Sequence, residues 1–246
     1  MRKYRLSAGA LALATGLWLL SAASAAPPAL PKDAYKKAIT ADIAYLQDAL
    51  KGGAPAKGAI RTVKAVAMYL ASYGEATGDA ALTADALKVA ETMAKKDFKG
   101  AEEAAKGLSS PKGGAKPKGP IHTLAKFELD DAMSPYRPSK TGGLNMEADI
   151  RAAIKAGGTI DPKTAELIGI RTGVIADFTL HMPNEAATVK PDSKAKWEKL
   201  SKEMGDLGKQ LAEEAGKPKA DSKAIIGVLK RLDANCSNCH EAFRDK

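Results

Sequence analysis

Both cysteines of this 246-residue chain, and one of its three histidines, fall in the run Cys236-Ser-Asn-Cys239-His240, ten residues or fewer from the C-terminus. On a helix, thiols three residues apart share one face, and an imidazole at the fourth position sits beside them. Thiols so spaced can add across the two vinyl groups of a porphyrin while the neighbouring imidazole reaches the iron, the attachment pattern of a c-type haem. A redox-active Cys-x-x-Cys belongs instead at a helix N-terminus in an α/β setting, where the helix dipole lowers a thiol pKa. Zinc would need further ligands, and no third cysteine exists to supply one. A plain disulfide would leave His240 without a role. The expected cofactor is one covalent haem c on Cys236 and Cys239, with His240 as proximal iron ligand.

Helices must position these groups, because every segment with a clear hydrophobic period has the helical one and none alternates as a strand does. In the C-terminal part the apolar periodicity predicts helices over 146–156, 162–181, 193–215 and 221–243. Trp197, Leu200, Met204, Leu207 and Leu211 repeat at three and four residues. Ile225, Val228, Leu229, Leu232, Cys236, Cys239 and Phe243 do the same, so the cysteines continue a buried stripe. Asp161-Pro162 is an N-cap followed by proline at the first helical position. Gly52-Gly53, Gly74, Gly157-Gly158 and Gly216 read as helix stops. The stretch "SSPKGGAKPKGP" from Ser109 reads as a flexible loop, and residues 138–143 as a domain boundary.

An internal repeat adds to the organisation. "IRTVKAVAMYLASYGEA" from Ile60 and "IRTGVIADFTLHMPNEA" from Ile170 align without gaps with six identities, where about one is expected by chance. "ALKGG" and "AIKAGG" precede the two copies, and "SPYR" and "AFR" close the two halves with an aromatic residue and arginine. The expected fold class is all-α: two tandem four-helix up-down bundles, a haemless repeat over 33–139 and a haem-bearing unit over 144–246.

At its C-terminus the chain resembles the class II c-type cytochromes, cytochrome c′ and its low-spin relatives. Those proteins carry Cys-x-x-Cys-His near the end of a fourth helix, often followed by x-x-Phe-Arg, which here reads Cys236-Ser-Asn-Cys239-His240-Glu-Ala-Phe243-Arg244. The resemblance covers about the last hundred residues and implies a haem inserted between helices at one end of an up-down bundle. The additional haemless N-terminal repeat departs from that family. In such a bundle the end of helix four lies beside the start of helix one and the end of helix two. That selects Met146 or His181 as sixth iron ligand, with five-coordinate iron as the alternative. Met204 reads as core and His122 as a surface residue of the haemless unit. Arg244, one turn beyond His240, is placed to pair with a haem propionate.

Residues 1–25 read as a secretory signal: Arg2, Lys3 and Arg5, an apolar run from Ala8 to Leu20, then Ala23-Ser24-Ala25 as the cleavage site. The run is too short to span a bilayer, so no membrane span is expected after cleavage. Removing this leader, with three basic and no acidic residues, takes the formal charge from +9 to +6. With 5% aromatic residues and no basic stripe, the composition gives no footprint for nucleic acid. The function expected is a periplasmic electron carrier, not an enzyme, working with redox partner proteins; a homodimer is compatible with it. The alternative is a five-coordinate haem protein that binds nitric oxide or carbon monoxide. No paired carboxylates or histidine cluster at a catalytic spacing accompany the motif.

Overall fold

The computed structural model describes residues 30–114, 117–155 and 157–244. The expected signal, residues 1–25, lies outside the described residues. Among those described there are α- and 3-10 helices and no strands. The first half holds α1 (Lys32–Ala49), α2 (Ile60–Thr77), α3 (Ala80–Ala94) and α4 (Phe98–Gly107). A run of short turns follows and includes the four-residue α5 (Leu129–Ala132). The second half holds α6 (Met146–Ile154), α7 (Pro162–His181), α8 (Glu185–Thr188), α9 (Pro191–Ala215) and α10 (Ser222–Phe243).

Local chemistry sets the boundaries. Asp79, Asp97, Asp161 and Asp221 cap α3, α4, α7 and α10, each side chain accepting from a backbone N–H of the first turn. Gly74 does not end its helix as expected; α2 continues to Thr77 and closes on Gly78 in the left-handed conformation. Gly74 is there because α3 approaches: a Cβ at this position would lie 2.4 Å from Thr83 Oγ1. Gly216 does follow α9, but with an ordinary right-handed backbone. In the loop beyond Ser109 the Asp85 carboxylate accepts from the backbone N–H groups of Lys112 and Gly113.

Helix α7 joins the two halves. It crosses α9 at backbone contact, since a Cβ on Gly169 would fall 2.5 Å from the Ala212 nitrogen and one on Gly208 2.8 Å from the Gly173 nitrogen. On its other sides it meets α1, α2 and α5. Tyr69 of α2 and Phe127 each pack on Phe178 of α7, with ring centroids 6.1 and 4.8 Å apart. One continuous apolar core therefore runs through both halves. The aligned repeats do not share a helical register: Ile60 opens α2, whereas Ile170 is the ninth residue of α7, whose copy runs on past His181 into α8. Residues 138–143 are pinned, not open, because a Cβ on Gly142 would collide with the Gly58 and Ala59 backbone.

A charged pair is buried in the seam. Asp42 of α1, with no exposed surface, receives Arg171 of α7 through Nε at 3.1 Å and through Nη2, and the Tyr73 hydroxyl at 3.2 Å. Burial pushes the Asp42 carboxyl up and the guanidinium pulls it back. Removing one partner strands the other charge away from water, which costs about 3–5 kcal/mol. Asp42→Ala is expected to lower unfolding stability by about that amount, more than Asp33→Ala at an exposed pair on the same helix, as read from denaturant midpoints.

Candidate functional site

The last helix delivers the site. Ile225, Val228, Leu229 and Leu232 hold α10 in the core, and the stripe reaches Cys236 and Cys239 within the next two turns. Three contacts fix its C-terminal end. The Phe243 ring meets Trp197 edge-on with centroids 5.2 Å apart. Asn184 donates through Nδ2 to the Phe243 carbonyl at 3.1 Å, satisfying an acceptor that the helix itself cannot. The side chain of Asn235 donates to the Leu200 carbonyl at 3.3 Å. Trp197 is itself held on α7, its Nε1 donating to the Thr179 carbonyl at 2.7 Å.

Beside these last turns lies a cleft of about 830 Å³, within the usual range of roughly 300–1,000 Å³ for sites of small molecules and cofactors. Cys236, Cys239, His240 and Arg244 all line it. Opposing walls come from α9 with Trp197, Leu200 and Met204, and from α6 with Ile150 and Arg151. The third wall belongs to the N-terminal half: Leu129, Met133, Tyr136 and Arg137. Cys236 packs against the main core and Cys239 against a smaller cluster of Ala187, Trp197, Leu200 and Phe243, so the cleft opens between two apolar bodies.

Burial pushes the Cys236 thiol up to about 12, with Asp233, Cys239 and Glu147 adding negative potential. Cys239 is also raised by burial, against which Lys196 pulls it down. Both are thus thiols at neutral pH. The Tyr136 hydroxyl is raised by burial, with Cys236 adding to the effect, and shares a hydrogen bond of 2.7 Å with Thr172 Oγ1. Arg244 Nη1 lies 3.5 Å from His240 Nδ1, and Arg151 pairs with Glu147 at 2.7 Å.

The four residues expected from the terminal motif are thus brought together at the cleft, whose lining includes neither of the two expected sixth ligands. Met146 is 1% exposed in the core and does not line the cleft. His181, the last residue of α7, is also outside it; its ring stacks on His122 at 4.8 Å and its Nδ1 lies 2.8 Å from the Asp177 carbonyl. His122, expected at the surface, is half-buried by that stack, and burial lowers its pKa, with His181 adding to the effect. Met204 is buried as expected, yet it also lines the cleft. Sequence reading missed Met133, Tyr136 and Arg137. The one signal that marked them, the aromatic-Arg ending of the first half, pointed to a repeat and not to a wall.

The cleft's donors are those that could hold a flat macrocycle. Among the described residues no three His, Cys, Asp or Glu side chains form a metal-holding group. Two thiols and an imidazole on one wall could hold a porphyrin and its iron, with apolar side chains and the arginines Arg137, Arg151 and Arg244 lining the rest of the cleft. Among the described residues no helix is long and apolar enough to cross a membrane. Compared with models of known protein families, with curated proteins and with solved structures, the chain matches none.

Thiol protonation gives a direct check of this geometry. In haem-free folded protein at pH 8, iodoacetamide is expected to label Cys239 several-fold faster than Cys236, and both faster after unfolding in guanidinium, as followed by peptide mass.

Proposed function

We propose that this chain is an exported c-type cytochrome carrying one covalent haem c, and that it acts as an electron carrier in the periplasm. The observation that supports this best is the convergence of Cys236, Cys239 and His240 on one large, mostly apolar cleft at the end of α10. In this reading α1–α4 and α6, α7, α9 and α10 are tandem four-helix bundles, and the second holds the haem. When bound, the haem supplies one-electron chemistry at iron. The protein's part is to attach, orient and insulate it. Cys236 and Cys239 would hold it through thioether bonds, each thiol giving its sulfur and its hydrogen to one vinyl group, so that no oxidant is needed. His240 would supply a nitrogen ligand to the iron, and Trp197 and Leu200 of α9 would keep water from the cleft. Arg137, Arg151 and Arg244 place positive charge at the cleft for the propionates. Partners are then redox proteins that approach near the C-terminal turns of α10, where Lys196 and Lys199 of α9 stand beside Asn238 and Glu241.

Full-length protein matured in the periplasm of a haem-ligating host is expected to be red and to exceed its polypeptide mass by one haem, with an alkaline pyridine spectrum typical of two thioether bonds. Cys236→Ser with Cys239→Ser is expected to abolish covalent haem. A colourless parent of bare polypeptide mass, made where a known cytochrome c matures normally, refutes the proposal.

A further inference from the structure

Resting on the haem reading above, we propose that the N-terminal half supplies the group opposite His240, and that this group is the thioether of Met133. Two neighbours fix the height of the 128–138 segment along α10. Leu129 packs into the small cluster with Cys239, Trp197 and Phe243, and Tyr136 lines the cleft together with Cys236, both packed against the main core. Met133 falls between them in sequence, and its side chain lines the same cleft as Cys236 and His240. Because α10 packs directly on α9 and α6, this segment is the wall that completes the cleft between them.

The backbone that presents Met133 is held firmly for so short an element. The Glu128 backbone N–H donates to the Asp131 carboxylate at 3.0 Å, and buried Asp131 also takes Lys64 Nζ at 2.6 Å. Tyr69 of α2 donates its hydroxyl to the Ala132 carbonyl at 2.6 Å, and Ser134 Oγ donates to that of Asp131 at 2.7 Å. The residues on either side of Met133 are therefore fixed, while its own unbranched side chain is half-buried and adaptable. That combination suits an axial ligand: the main chain sets the distance and the thioether adjusts.

Met204 is the other cleft methionine, and its level is wrong. Helices α9 and α10 meet with Leu200 at Asn235 and Trp197 at Phe243, which puts Met204 about one turn or more deeper than His240. Its side chain belongs to the core, with 6% exposure. A methionine opposite imidazole also raises the iron potential, so the N-terminal half would tune the site it walls.

The test is the absorption of full-length, haem-loaded protein and its Met133→Leu and Met204→Leu variants, which keep side-chain volume and remove the sulfur. The parent is expected to be low-spin, with the weak ferric charge-transfer band of thioether ligation. Met133→Leu is expected to lose that band and bind carbon monoxide in the ferrous state, and Met204→Leu to keep the parent spectrum. If Met133→Leu does not accumulate, Met133→His decides, replacing the band by the spectrum of two-imidazole ligation. An unchanged band in either Met133 variant, its loss in Met204→Leu, or a haem-loaded parent without it overturns the assignment and leaves covalent attachment standing. A parent without covalent haem overturns both.

Discussion

Everything at the cleft depends on how α7 is buried. A helix at the edge of a bundle needs one apolar stripe, yet twelve of the twenty residues of α7 are buried. One side meets α9 at glycine distance, and the others meet α1, α2 and α5 from the first half. Because α7 serves both halves, the segment leaving the first half is carried to the mouth of the second. The Tyr136–Thr172 hydrogen bond and the Phe127–Phe178 contact hold it there. The third wall of the cleft is thus a consequence of shared packing and needs no long-range recognition of its own.

The seam also has a polar lock. Lys37 reaches the buried Glu166 at 2.9 Å, one turn and a half of α7 before the Asp42–Arg171 pair. Such pairs add little net stability against apolar replacements, since desolvation consumes most of their attraction. Their effect is on register. An apolar seam alone would tolerate a slide of α1 along α7, whereas a slide by one turn would strand Asp42 and Arg171 unpaired in the core. The cleft needs that register, because a shift of one turn, about 5.4 Å, would carry the 128–138 wall past the cysteines.

What the sequence reveals about this fold follows from where the information sits. Helix limits encoded by a cap and a stop, such as Asp161-Pro162 before α7, are local and legible. Gly74 misleads because a glycine that admits a neighbouring backbone looks like one that ends a helix. The cysteines, His240 and Arg244 are legible because one helix spaces them. Met133 is not, since it lies a hundred residues away in sequence, after a four-residue helix too short to show a period. Met146 and His181 fit an idealised bundle, but the structure takes them up in other contacts: Met146 in the core, and His181 in a stack with His122. That stack arises from the first half's chain covering the end of α7, which no reading of the second half alone can anticipate.

The composition of the cleft bears on why both halves are retained in one chain. Trp197, Leu200, Leu129, Ile150 and Phe243 turn apolar surface toward a space large enough to admit water. Leaving such surface wet forfeits roughly 25 cal/mol for each Å² that a ligand would otherwise cover. A four-helix unit on its own would leave this space open on the side that Leu129, Met133 and Tyr136 close. Under the proposed reading, that closure lowers the dielectric around the iron and excludes water from the face opposite His240, and both effects bear on the potential of a buried metal. The first half, although it holds no cysteine, then belongs to the redox site as much as the helix that carries the thiols.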